Sequence, residues 1–197
     1  MSPLGAAAVF AVLLLAVVGG FLLVVTYNAV VALRTRIDKA WGNVEVSLRQ
    51  RHDQLPALVD AVRDVMAFEE DVLEEVARQR SRFVPGAPVP EQGPVSAATT
   101  AAVRSLFAVV ERYPQVRSAA NVLRLQGEIE RLESQIADRR ELYNDQVFRY
   151  NATIAQLPAV ILAALLGWAP RPFFDAGDEA RERPDVALGP RDGTAGR

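Results

Sequence analysis

A chain of 197 residues with a net charge of −2 has room, once a membrane segment is set aside, for one modest domain and a tail. That charge, with no run of Lys and Arg interleaved with aromatics, argues against a nucleic-acid surface, so no nucleic-acid partner is expected. No cysteine occurs, which excludes disulfides, thiolate metal sites, thiol nucleophiles and a lipid anchor through a cysteine thiol.

No charged side chain precedes Arg34. The stretch Leu4 to Thr26 is built of Leu, Val, Ala, Phe and Gly, and as a helix its roughly 23 positions reach about 34 Å, enough for a hydrocarbon core of about 30 Å. A cleaved secretory signal calls for a positive n-region, which Met1 to Gly5 lacks, so the segment reads as a retained anchor. Arg34, Arg36 and Lys39 follow the span and no Lys or Arg precedes it. The positive-inside rule therefore predicts a single-pass protein of the cell membrane, with its N-terminus outside and its body in the cytoplasm.

From Leu33 the apolar positions run Ile37, Trp41, Val44, Leu48, Leu55, Leu58 or Val59, Val62, Val65 or Met66, Val72 or Leu73, and Val76. These steps of three and four define an amphipathic helix. Pro56 interrupts it, predicting either a kink or a tight turn with Asp53 capping a new helix. The helix is expected to end near Phe83, with Arg78, Arg80 and Arg82 favourable at its negative end. Val84 to Gln92, rich in Pro and Gly, reads as a loop. A shorter helix is expected from about Ser96 through Val103, Leu106, Phe107 and Val110, stopping at Tyr113-Pro114.

The longest predicted helix follows, about 40 residues, with a stripe at Leu125, Ile129, Leu132, Ile136, Tyr143, Val147, Tyr150, Ile154 and Leu157. Arg139 or Arg140 fills its one vacant step, which makes the pattern a coiled-coil-like repeat with a stutter. So long a one-sided helix needs the earlier helices against its stripe. Pro158 to Trp168 is apolar yet too short to span a bilayer, and reads as a bundle cap or an interfacial segment. From Asp175 the chain is charged and poor in apolar groups, predicting a disordered tail over 175–197. The expected fold is all-α: a transmembrane anchor over 1–30, then an up-and-down, four-helix-bundle-like domain with long antiparallel helices over 31–174.

Catalytic patterns do not emerge. The single histidine, His52, cannot supply the two Glu-x-x-His motifs of a di-iron bundle. Glu69, Glu70, Asp71, Glu74 and Glu75 read as a solvated helix face before they read as a metal site. Phosphate-binding glycine loops, nucleophile elbows and dinucleotide fingerprints are missing. The expectation is no enzyme, no metal, no cofactor and no small-molecule substrate. Two Tyr-Asn dipeptides, Tyr143-Asn144 and Tyr150-Asn151, recur one heptad apart. Polar groups at a packed seam need partners, and these read either as a register device of the kind a buried asparagine provides in coiled coils, or as a ligand or partner contact. Arg140 would need a carboxylate from a facing helix, with Glu69 and Glu45 as candidates.

The ordered series Tyr27-Asn28, Arg49 to Val59 with Arg51, Asp53 and Pro56, then Glu69, Glu111 to Pro114 with Tyr113, Leu125-Gln126, Glu133, Arg140, Tyr143-Asn144, Tyr150-Asn151 and Pro158 resembles the LemA family of bacterial membrane proteins over residues 20–175. The resemblance implies an N-terminal anchor, a cytoplasmic helical bundle and no established enzymatic activity. It also marks Arg51, Asp53, Pro56, Glu69, Tyr113, Pro114, Gln126, Arg140, Tyr143, Asn144, Tyr150, Asn151 and Pro158 as structural or interaction residues. Gln54 and Ala57 depart from the Leu and Asn common there, as do Met66 and Phe68 from Tyr and His. The function expected is a membrane-anchored adaptor or scaffold contacting lipid through its anchor and, beyond lipid, other membrane proteins or itself; a membrane zinc metalloprotease is among the partners the resemblance allows. The alternative is a self-assembling, membrane-organising protein that binds itself and lipid.

Overall fold

A computed structural model describes residues 3–63 and 69–175. The stripe positions Val65 and Met66, the family departures at Met66 and Phe68, and the expected tail beyond Asp175 lie outside the described residues. Six helices and no strand occur among the described residues: α1 (Pro3–Arg63), α2 (Glu70–Ser81), α3 (Val89–Val110), α4 (Pro114–Arg117), α5 (Ala120–Ile154) and α6 (Ala159–Leu166).

The 61 residues of α1 give it a length of about 90 Å. Its side chains from Val9 to Val25 are largely exposed and apolar, as a lipid-facing helix requires. Its C-terminal half buries Val30, Ile37, Val44, Leu48, Leu55, Leu58, Val59 and Val62. The predicted boundary between anchor and body thus falls inside one uninterrupted helix.

Neither the turn nor a new helix cap forms at Pro56, which sits within α1. A proline here deprives the carbonyl four residues back of its donor. That carbonyl belongs to His52, and it accepts from Arg80 Nε of α2 at 3.4 Å, so a neighbouring helix offsets part of the loss. Asp53 is exposed and takes His52 Nδ1 at 3.1 Å instead of capping. The helix continues past Pro56 to Arg63, the last described residue of this segment.

The loop expected over Val84 to Gln92 is shorter than the sequence suggests, because α3 begins at Val89. Pro90 lies in the first turn, where its missing N–H has no partner to lose. Pro94 leaves open only the carbonyl of exposed Pro90. Ser96, expected as a cap, is buried mid-helix. At the turn between α2 and α3, Gly86 adopts φ 77° and donates its N–H to Glu45 Oε1 at 2.7 Å.

Pairings across the bundle fix its direction. Trp41 meets Tyr143, Arg139 meets Asn43 and Ser47, and Arg51 meets Glu133, so α5 runs antiparallel to α1. The far end joins Glu69 to Tyr113 and the near end joins Gly86 to Glu45, so α2 returns toward the anchor and α3 leaves it again. The result is an up-and-down arrangement of α1, α2, α3 and α5. Its core has two clusters, one running from Leu55 to Ile129 at the far end, the other from Val30 to Phe174 near the anchor.

Val122, Leu125, Ile129, Leu132, Ile136, Tyr143, Val147, Tyr150 and Ile154 are all buried on the 35-residue α5. Leu157 is not: it is 77% exposed, since the helix has ended and the chain turns 94° into α6. The Leu157–Pro158 peptide is cis. Gly167, at φ 66°, closes α6, and an extended strap from Trp168 to Asp175 then runs back along α5. By length and composition α3 also qualifies as a span, yet it buries Ala102, Val103, Leu106, Val109 and Val110 in the bundle.

Candidate functional site

The two Tyr-Asn dipeptides hold the strap. Asn144 donates Nδ2–H to the Phe174 carbonyl at 3.1 Å and accepts the Phe174 N–H through Oδ1 at 2.9 Å. Asn151 repeats this on Arg171, at 3.0 and 2.8 Å. Each carboxamide thereby grips one strap residue at two points, as an adjacent β-strand would. Each tyrosine reaches the strap two residues before the grip of its own asparagine: Tyr143 Oη donates to the Pro172 carbonyl at 2.9 Å and Tyr150 Oη to that of Ala169 at 3.1 Å.

The spacing explains the repeat. Seven helical residues rise about 10.5 Å, and three extended residues span about 10 Å. A heptad on α5 therefore matches a three-residue step on an antiparallel strap, which is the offset from Arg171 to Phe174 and from Ala169 to Pro172. The dipeptides were expected to set register between helices or to meet a ligand or partner; they instead bind an extended segment of their own chain.

Aromatic packing closes this region. Trp41 of α1 lies 5.4 Å from the Tyr143 ring and 5.6 Å from that of Phe174. Burial raises the Tyr143 phenol above its ordinary value of 10.0, with Arg171 pulling it down in part and Asp38 pushing it up. Beyond Phe174 the strap reaches Gly93 of α3. A Cβ on Gly93 would run into the Asp175 carbonyl, so this position needs glycine for close approach.

A second polar centre separates the two core clusters. Arg51, 4% exposed, donates Nη1–H to Glu133 Oε1 at 2.8 Å and to Thr100 Oγ1 at 3.0 Å. Its Nη2 reaches Ser96 Oγ at 3.1 Å. Thr100 Oγ1 donates in turn to Glu133 Oε2 at 2.7 Å. One guanidinium thus ties α1 to α3 and α5, and its charge is balanced by a carboxylate. Sequence reasoning marked Arg51 only through family resemblance, although the α1 stripe offered a direct signal: Arg51 occupies the apolar step between Leu48 and Leu55. The sequence gives no signal for Ser96 and Thr100 as its partners.

Glu69 and Tyr113 come together at the far end of the bundle, where Glu69 Oε1 accepts Tyr113 Oη–H at 3.2 Å and Arg112 Nη2–H at 3.0 Å. This corrects the expectation for Arg140. Glu69 serves the α3–α4 corner and Glu45 serves Gly86, while half-buried Arg140 forms an ion pair with neither. The helical step expected for Arg139 or Arg140 is taken by Arg139, which donates to the Asn43 carbonyl at 2.8 Å and to Ser47 Oγ at 2.5 Å. Arg140 lines an open groove of about 710 Å³ between α3 and α5, with Arg104, Glu130 and Phe174. Pro114 begins α4, Gln126 is half-buried, and Pro158 precedes α6. Among the described residues no group of three or more His, Asp and Glu side chains is placed to hold a metal ion.

Residues 40–188 match the model of the LemA family. The matched span begins later than the resemblance drawn over residues 20–175 and extends past its end. The chain is also similar to magnetosome protein MamQ of Magnetospirillum gryphiswaldense, at 23% identity over 83% of this chain and 71% of that protein. Magnetosome protein MamQ 2 of Paramagnetospirillum magneticum is likewise 23% identical, over 79% of this chain and 68% of its own length.

Proposed function

This chain belongs to the LemA family, and from that premise we propose that it is a membrane-anchored, non-catalytic adaptor that presents its helical bundle to other membrane proteins at the cytoplasmic face. The observation that supports this reading is the continuity of α1. One helix supplies the apolar exposed stretch from Val9 to Val25 and the buried stripe from Val30 to Val62, so there is no flexible linker between anchor and body. A partner docked on the bundle is thereby held at a set height and rotation relative to the bilayer. The cytoplasmic placement is supported by Arg34, Arg36 and Lys39 beyond the span. No cofactor or small-molecule substrate enters this reading.

The second reading, a protein that organises membrane by binding itself and lipid, draws on the exposed apolar residues Leu157, Ile161 and Leu165 at the near end of the bundle. Photo-crosslinking in cells separates the two. With a photoreactive residue at exposed Gln50 of α1 or Arg131 of α5, the adaptor reading expects a discrete foreign membrane protein attached at reproducible positions. Crosslinks only between copies of this chain would replace it with the second reading.

A further inference from the structure

Sequence alone left Pro158 to Trp168 as either a bundle cap or an interfacial segment, and the structure shows a helix with two unlike faces. Ala159 and Ala163 of α6 are buried in the cluster that contains Val30 and Ile154. Leu157, Ile161, Leu165 and Leu166 are exposed, Leu165 by 79%. No charged residue occurs between Arg149 and Arg171. An exposed apolar face without a charge is a poor surface for water.

Three observations say what covers it. First, its height: Trp168, at the end of α6, stacks on Tyr27 with ring centroids 5.8 Å apart, and Tyr27 directly follows the apolar stretch of α1 that reads as the span. Tyr and Trp favour the level of the membrane–water boundary. Second, its direction: α5 runs antiparallel to α1, and α6 is turned 94° from α5, which lays α6 along the bilayer plane when α1 crosses it. Third, the charges: Arg34 and Arg36 lie about 10 and 14 Å along α1 from Tyr27 and supply cations near headgroup height, with Lys39 and Arg171 just beyond them. Asp38 accepts from Arg171 Nη2 at 3.5 Å, which holds the strap's cation against α1.

We propose that α6, with Leu157, is a foot that rests in the headgroup–acyl boundary of the leaflet facing the bundle, its occupant being lipid and not a second protein. The span supplies the tether, so α6 is already held at the bilayer and needs no strong independent affinity for membranes. Bilayer contact at this second point would stop the bundle tilting about the end of α1.

This rests on α1 crossing the membrane, and the test separates the two claims. The chain lacks native cysteine, so spin labels are placed singly at Val18→Cys, Ile161→Cys, Leu165→Cys and Leu123→Cys in the full chain, reconstituted in vesicles of zwitterionic and anionic phospholipid. Collision with oxygen, which partitions into lipid, is compared with collision with a water-soluble nickel chelate. Expected is lipid-like exposure at Val18, Ile161 and Leu165, with nickel collisions several-fold below those at the exposed far-end residue Leu123. Lipid-like Val18 with water-like Ile161 and Leu165 overturns the foot and leaves the anchor standing. A water-like Val18 overturns both. Spin–spin broadening at Ile161 and Leu165, lost on dilution with unlabelled chain, overturns lipid as the occupant and assigns this face to a second copy.

Discussion

Asn144 and Asn151 each complete two hydrogen bonds to a backbone residue that has no other strand beside it. Replacing Asn151 with Ala strands both the N–H and the carbonyl of Arg171, and is expected to destabilise the strap by about 1–3 kcal/mol. Amide hydrogen exchange over residues 168–175 would then accelerate while exchange in α3 stays slow. Arg51 carries larger stakes because it is charged and buried. Arg51→Met leaves half-buried Glu133 with Thr100 but without its cation and should cost up to about 3 kcal/mol, whereas the double change with Glu133→Leu should recover most of that. Thermal unfolding of the four members of this cycle measures the coupling. Tyr143 ties stability to alkaline pH. Its folded value lies above 10.0 because burial penalises the phenolate, so the folded chain holds this proton more tightly than the unfolded chain does. The associated stability is complete below the unfolded value and is lost as pH rises through the raised folded value. Tyr143→Phe should abolish that part of the alkaline decline, read by comparing unfolding across the alkaline range with phenolate absorbance.

Periodicity made the long elements legible. The α5 stripe was readable from Val147 back to Leu125 and forward to Ile154, since steps of three and four over so many turns fit no other structure. Helix boundaries near proline were less legible because proline's cost depends on who satisfies the carbonyl it orphans. At Pro56 the answer lies in Arg80, a residue of the next helix, and no local rule contains it. At Val89 the start of α3 uses Pro90 as a first-turn residue, so a Pro-rich stretch read as loop is partly helix. The strap was illegible for a different reason: extended segments that lie on a helix have no periodicity of their own. Its partner residues were nonetheless visible as the repeated Tyr-Asn pair. Gly93 tests how strap and helix fit. Gly93→Ala should displace the Asp175 backbone while leaving α3 intact, because alanine favours helix over glycine by about 1 kcal/mol. Circular dichroism would then show unchanged helicity, and a label at Phe173→Cys would become more mobile. No change in that mobility would mean the close approach is not maintained in solution.

At the scale of the whole molecule, the protein is a bundle built around the C-terminal half of its own anchor helix. Two devices make it one body: the Arg51 centre links α1, α3 and α5 at mid-height, and the strap ties α5 to α3 beside the membrane-facing end. The proposed adaptor role rests on this rigidity joined to a fixed orientation, so the side of the membrane on which the bundle lies decides that proposal. The absence of native cysteine permits a direct measurement. Single substitutions Ser2→Cys and Gln115→Cys, the latter at an exposed α4 position, are treated in intact cells with a membrane-impermeant maleimide. Labelling at Ser2→Cys, with Gln115→Cys reacting only after permeabilisation, is the predicted result. Gln115→Cys labelled in intact cells, with Ser2→Cys protected, would place the bundle on the opposite side and contradict the proposal of a cytoplasmic adaptor.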